Sequence, residues 1–270
     1  MPIQLTSSNY NGQSANVTLF SSTGNTIPYT DANAISLGVQ TIPFTYSSST
    51  ISNEYGVFYC NFTGYSKTCT INQQTPPDGD GNRYKTIKIG NQIWMSENLK
   101  TTKFQDGTPL DNTGQTTNAV WAAASATGST KYWALVNGTT GNTQTYGLVY
   151  NQFAVTGSTT GATANVNLCP SGWHAPTSTE FSTLTTFLGS ENATKLKSTT
   201  LGGNGTNSSG YNALLSGRKT DDGAFSLFNS YGYFWSTTVS TFYYVLISNS
   251  SIQGGSQDIR WGFSVRCLKN

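Results

Sequence analysis

Charge is what this chain has least of. It carries 14 Lys and Arg against 12 Asp and Glu over 270 residues, so charged residues make up 10% and the net charge is +2. Nucleic-acid binders show a basic stripe, and no partner of that kind is expected here. Histidine is scarcer still, with His174 the single one. The four cysteines, Cys60, Cys69, Cys169 and Cys267, include no Cys-x-x-Cys pair, so the ligand set of a zinc site is missing and no metal is expected. No phosphate loop or dinucleotide fingerprint occurs, and no cofactor is expected. No apolar run approaches the ~20 residues of a membrane span, which argues against membrane insertion. Met1-Pro2-Ile3-Gln4 lacks the basic and apolar regions of a secretory signal. The chain is therefore expected either to act inside a cell or to leave by another route, such as release in a virus particle.

What is present is polar and aromatic. Hydrophobic residues make up 36% and aromatics 13%, too much for a disordered chain. The surface must then be built from Ser, Thr, Asn, Gln and Gly. That balance fits an extracellular or virion protein of β and loop type. The cysteines allow two bridges, Cys60–Cys69 and Cys169–Cys267, or four buried thiols.

Residues 1–72 alternate with period two. Val17 and Leu19 share a face, as do Ile35, Leu37 and Val39, then Ile42, Phe44 and Tyr46, then Val57 and Tyr59, then Cys69 and Ile71. Pro43 inside one run indicates an edge strand or a bulge. Val57–Cys60 and Cys69–Ile71 predict a hairpin. The segment reads as a small all-β, sandwich-like domain, marginal alone and stabilised by a neighbour or an oligomer. Residues 73–82 contain two prolines and two glycines and read as a linker. Asp78, Asp80 and Asn82 have the spacing that opens a calcium loop, but Ile89 stands where the bidentate Glu would fall, so a turn is favoured.

From residue 83 the pattern changes. Ile87, Ile89, the Gly90-Asn91 turn signal, Ile93 and Met95 predict a hairpin. Val120–Ala126 reads as a short helix and Tyr146–Val155 as a strand entering the core. Thr177 and Glu180 have capping-box spacing. Phe181, Leu184, Phe187 and Leu188 follow at helical intervals before Gly189. Phe263–Cys267 closes the chain as a final strand. Trp173, Trp235 and Phe263 are expected in the core.

Five motifs occur in order: Tyr84–Lys100 (Tyr-Lys-Thr-Ile-Lys-Ile-Gly-Asn-Gln-Ile-Trp-Met-Ser-Glu-Asn-Leu-Lys), Tyr146–Asn151, Cys169–Thr177 (Cys-Pro-Ser-Gly-Trp-His-Ala-Pro-Thr), Tyr231–Thr238 and Gly262–Cys267. Together they resemble the Fibrobacter succinogenes major paralogous domain, a branch of the C-type-lectin-like superfamily, over residues ~78–270. The resemblance implies an α+β C-type-lectin-like domain at 83–270, after the β-domain at 1–72 and the linker at 73–82. In that superfamily a bridge joins the helical region to the last strand, and Cys169–Cys267 is similar. The Glu-Pro-Asn or Gln-Pro-Asp and Trp-Asn-Asp triplets of calcium-dependent sugar lectins do not occur, and Trp261-Gly262-Phe263 is the nearest approach.

Little else carries chemistry. His174 lies between Trp173 and a helix cap, where an imidazole packs and bonds locally. Asp221-Asp222 diverge as neighbours and read as a turn. The segment 238–261, held between two of the motifs, combines rings of few torsions with small polar groups, the composition of a binding surface. In lectin-like proteins diversified by retroelements the variable surface occupies this position. Tyr243, Tyr244, Ser248, Asn249, Gln257, Arg260 and Trp261 are the expected ligand contacts, with one of the two tyrosines exposed by strand alternation. The leading expectation is a non-enzymatic virion surface protein of a bacteriophage, a capsid decoration, head fibre or tail fibre. Its N-terminal domain would attach to capsid or tail proteins, and its C-terminal domain would adhere to a glycan or protein of the host surface. A homo-oligomer, such as a trimer, fits a fibre. A secreted or cell-surface bacterial adhesin is the alternative. An enzyme of the formylglycine-generating type is the third reading.

Overall fold

The computed structural model describes residues 3–5, 17–19, 40–46, 54–63 and 66–270, except 116, 124–129, 158–166, 201–204 and 247, with side chains from residue 74 onward save that of residue 246. The chain divides into two compact units, Met1–Pro76 and Pro77–Asn270. Its fold is mixed α and β, with several small antiparallel sheets and few helices.

In the first unit, β1 (Ile3–Leu5) pairs with β2 (Val17–Leu19). A second sheet has the order β3 (Gln40–Tyr46), β4 (Glu54–Thr63), β5 (Ser66–Gln74). Pro43 lies in β3, an edge strand, where its missing N–H interrupts the ladder on one side only. The expected hairpin is β4–β5, and its register sets Cys60 opposite Cys69. The expected strand at Ile35–Val39 and the Cys60–Cys69 bridge itself lie outside the described residues and side chains.

The two units divide at Pro76–Pro77, inside the expected linker at 73–82, and both ends of that stretch carry regular structure. β5 runs through Gln74, and residues 78–82 form a fixed turn. Asp78 Oδ1 accepts the backbone N–H groups of Asp80 and Asn82, both at 2.9 Å, and Asp78 Oδ2 accepts the buried Tyr84 hydroxyl. Asp80 Oδ2 accepts the Thr102 amide and hydroxyl, and its other oxygen lies 3.2 Å from Lys103 Nζ. Protein donors thus hold both carboxylates, and the Asp-x-Asp-x-Asn run is a turn.

The second unit opens with the hairpin β6 (Thr86–Ile89) and β7 (Gln92–Met95). The helix expected at Val120–Ala126 is α1 (Asn118–Ala122), capped by the Thr117 side chain. The strand expected at Tyr146–Val155 is much shorter. α2 (Thr143–Tyr146) precedes it, β9 (Leu148–Tyr150) pairs with β8 (Trp133–Leu135), and Asn151 then caps α3 (Gln152–Thr156) by accepting from the Ala154 amide. The capping Asn at that point turns an apolar run into a helix. β10 (Trp173–His174) leads to α4 (Ser178–Leu188), whose N-terminus carries the complete Thr177–Glu180 capping box. α5 is Asn192–Leu196. Then come β11 (Arg218–Lys219) paired with β12 (Phe225–Ser226), the sheet β13 (Tyr231–Trp235), β14 (Thr241–Leu246), β15 (Gln253–Ser256), and finally β16 (Leu268–Lys269).

The final strand expected at Phe263–Cys267 does not form. This run threads between other elements through single bridges, Phe263 to Tyr150 and Ser264 to Phe234. Regular pairing begins only at Leu268, which meets Trp94 of β7 and His174 of β10.

Strand alternation in β13 and β14 separates two cores. Tyr233, Trp235, Phe242, Phe263 and Val265 pack on one side with the Cys169–Cys267 disulfide. Phe234 and Val245 pack on the other with Trp94, Phe181, Leu184 and Tyr211. Trp173, Trp235 and Phe263 are all buried, as their motifs suggest. Arg266, fully buried, crosses the second core. Its Nε donates to Asn98 Oδ1 at 2.8 Å, its guanidinium also reaches the carbonyls of Tyr211 and Asn212, and it lies over the Tyr211 ring. Burial lowers its pKa to about 10.

Candidate binding face

The β13–β14 pair carries a continuous stack of rings on its first face. Register sets Tyr233 opposite Tyr244. Tyr231 and Tyr233, two residues apart on one strand, stack with centroids 5.5 Å apart and planes 9° apart. Tyr244 lies 5.5 Å from Tyr233 and 5.8 Å from Tyr231. The Arg218 guanidinium then covers the Tyr233 ring at 5.3 Å and the Trp261 ring at 4.4 Å. The ladder therefore runs Trp261, Arg218, Tyr233, with Tyr231 and Tyr244 beside it. Its floor is buried, and Tyr231, Tyr244, Trp261 and Arg218 are each half-buried.

The electrostatics fit a face rather than a pocket. Burial pushes the Tyr233 phenol up to about 12 against the pull of the Arg218 cation. Arg218 makes only long polar contacts, to Ser226 Oγ and the Tyr233 hydroxyl, each at 3.4 Å. No carboxylate pairs with it among the described residues. Its planar fork retains donors for a ligand.

Arg260 is different. Its Nε and Nη2 bind the two oxygens of Asp258 at 3.0 and 2.6 Å, and Nη2 also reaches Asp221 at 3.3 Å. Hydrogen bonding from Arg260 holds the Asp258 carboxyl below its usual range despite partial burial. The Trp261 amide donates to the Asp258 carbonyl. Arg260 thus braces the turn that presents Trp261.

The seven expected contact residues do not share one surface. Tyr244 and Trp261 lie on the ladder. Tyr243 points the other way, stacked on Phe181 at 4.4 Å, with its hydroxyl donating to the Ser178 carbonyl. Alternation holds, yet neither tyrosine stands free, because both faces of β14 are covered by packed rings. Ser248 is exposed on the β14–β15 turn. The Asn249 carbonyl accepts the buried Lys197 ammonium at 2.8 Å, which ties that turn to α5. The Gln257 backbone N–H donates to the Ser240 carbonyl. Sequence reasoning missed Tyr231, Tyr233 and Arg218. The alternation of Tyr231 and Tyr233 was a usable signal; Arg218, alone in a two-residue strand, offered none.

Other candidates for chemistry are engaged locally. His174 Nε2 lies 2.9 Å from Glu180 Oε1, and Nδ1 lies 2.6 Å from Asn270 Oδ1. Asp222 accepts the Thr220 hydroxyl and the Ala224 amide, which makes the expected turn, while Asp221 pairs with Arg260. Cys169 and Cys267 are joined to each other.

Searches of curated proteins and of solved structures return no match. The model of the Fibrobacter succinogenes major domain matches residues 87–269, which contain the ladder, the disulfide and the capped helix, and the chain belongs to that family.

Proposed function

We propose that this is a non-enzymatic adhesion protein of a bacteriophage virion, and that its second unit is a C-type-lectin-like domain which binds a glycan or protein of the host surface through the Trp261–Arg218–Tyr233 ladder. The observation that carries the binding reading is the half-buried stack of rings around an arginine that has no carboxylate partner among the described residues. Rings of few torsions lose little entropy when they are covered, and aromatic and Arg side chains supply most hot-spot energy. The planar faces suit the apolar face of a sugar ring, and the guanidinium suits its hydroxyl groups.

The setting rests on other features. The polar, charge-poor surface and the Cys169–Cys267 bridge suit a location outside a reducing cytosol, on a virion or outside a bacterium. The first unit, a sandwich-like β-module, would attach to capsid or tail proteins and would join an oligomer, such as the trimer of a fibre. A secreted or surface-attached bacterial adhesin uses the same binding face and is the second reading. The formylglycine-type reading would need thiols that the bridge consumes. Peptide mass spectrometry of purified phage particles, beside the outer-surface fraction of the producing bacterium, tests the setting. The protein in the particles is the expected result, and its confinement to the bacterial surface would replace the first reading by the second.

A further inference from the structure

We propose a second ligand site on the C-terminal unit, for an acidic sugar unit of the uronate class, in a shallow pocket of about 350 Å³ lined by the β6–β7 turn, the end of α4, α5 and the loop after it. The site shares no residue with the aromatic ladder and does not depend on it.

The observation that starts the argument is Phe187. It is 63% exposed, and only one other large hydrophobic residue among those described is comparably exposed. Yet the ring is seated. Gly90 lies against it at φ +60, and a Cβ at that position would come 2.9 Å from Phe187 Cδ2. The side chain therefore rests on the turn backbone, which glycine alone leaves open. An aromatic ring both exposed and held in place is a preformed platform for the apolar face of a sugar.

Two ammonium groups border this platform. Lys88 is exposed on β6. Lys195 donates from Nζ to the Leu188 carbonyl at 2.6 Å, which fixes its charge beside the end of α4 and leaves further N–H donors. No Asp or Glu lines the pocket. In a chain with so few charges, two cations beside a seated ring, with no carboxylate partner among the described residues, constitute a specific feature. Ser209 Oγ donates to the Lys195 carbonyl at 2.8 Å and accepts the Tyr211 amide at 3.2 Å, which fixes it at the pocket edge, and Ser208 is exposed beside it. A carboxylate would take the ammonium groups, ring hydroxyls the serines, and the sugar's C–H face Phe187. A neutral sugar leaves the cations unpaired, and a small inorganic anion leaves Phe187 unused.

The test is titration of the 15N-labelled full chain with methyl β-glucuronoside, methyl β-glucoside and sodium sulfate, followed by amide NMR. The glucuronoside is expected to shift amides at 88–90, 187–188 and 208–209 saturably, with the other two probes about tenfold weaker or more. Phe187→Ala and Lys88→Gln should each weaken glucuronoside binding at least about fivefold. Both side chains are exposed, and an unchanged melting temperature on the same samples verifies the fold. Absence of a saturable shift at these residues overturns the proposal. So does sulfate binding as tightly as the glucuronoside, or full affinity in Phe187→Ala.

Discussion

Arg218 and Trp261 lie 43 positions apart in the chain, and the guanidinium of one sits 4.4 Å from the ring centroid of the other. A backbone bridge and an ion pair make the contact. The bridge between Lys219 and Gly262 aligns the neighbours of both residues, and the Asp258–Arg260 ion pair braces the chain just before Trp261. Arg260→Ala should therefore loosen Trp261 without removing a ligand contact. We expect its binding defect to be smaller than that of Trp261→Ala, and to be partly relieved by Arg260→Lys. A defect equal to that of Trp261→Ala would instead place Arg260 in direct contact with the ligand.

The Cys169–Cys267 bridge spans a sequence separation of 98. A loop of that size is worth about 4.7 kcal/mol on the chain-entropy model. The Cys169→Ala/Cys267→Ala double variant should lose on the order of 3–5 kcal/mol in denaturant unfolding, with little change if the wild type is first reduced. Equal stability of oxidised wild type and double variant would contradict this.

Acid should weaken the start of α4. Partial burial raises the Glu180 carboxyl, but hydrogen bonds from the Thr177 amide and hydroxyl and from His174 outweigh it and hold the group below its ordinary value. A carboxyl lowered in the folded state gives stability that is full above the ordinary carboxylate value and is lost as pH falls through the lowered one. The melting temperature of Glu180→Gln should thus fall less between pH 6 and pH 3 than that of the wild type. At neutral pH the substitution should cost less than about 1 kcal/mol, because solvent screens the site. Parallel acid profiles for the two proteins would remove Glu180 from the account.

The unit boundary predicts how the C-terminal part can be cut. A fragment that begins at Pro77 keeps the Asp78 carboxylate on Tyr84 and the Asp80 contacts to Thr102 and Lys103. One that begins at Arg83 loses all of them and leaves the buried Tyr84 hydroxyl without Asp78. Both should be compared by thermal melting, and the longer fragment should melt higher. If the two melt together, the turn at 78–82 adds nothing to the fold.

The sequence made the helix at Ser178–Leu188 legible because its cap and its apolar spacing agree, and the β6–β7 hairpin because Gly90-Asn91 marks the turn. The family motifs contain the buried Trp94, Trp173 and Trp235, whereas the equally buried Trp121 lies outside them. Two differences share a cause. The largely apolar Tyr146–Val155 and the alternating Phe263–Cys267 both read as strands from pattern alone, but Asn151 caps a helix in one, and the other is held by single bridges. The candidate face was half legible. Tyr244 and Trp261 were reachable from composition, whereas Arg218 joins them only through tertiary contacts. Tyr243 lies off this face, where Phe181, a helix residue 62 positions earlier, stacks on it.

The most direct measurement is binding of the fragment 77–270 to a glycan array and to host cells, beside Trp261→Ala and Arg218→Ala, with melting temperature recorded on each sample. A hot-spot contact predicts a loss of about 2 kcal/mol or more in binding for each variant, with melting nearly unchanged because both side chains are half-buried. Variants that keep their melting temperature and bind as the wild type does would contradict the assignment of this face.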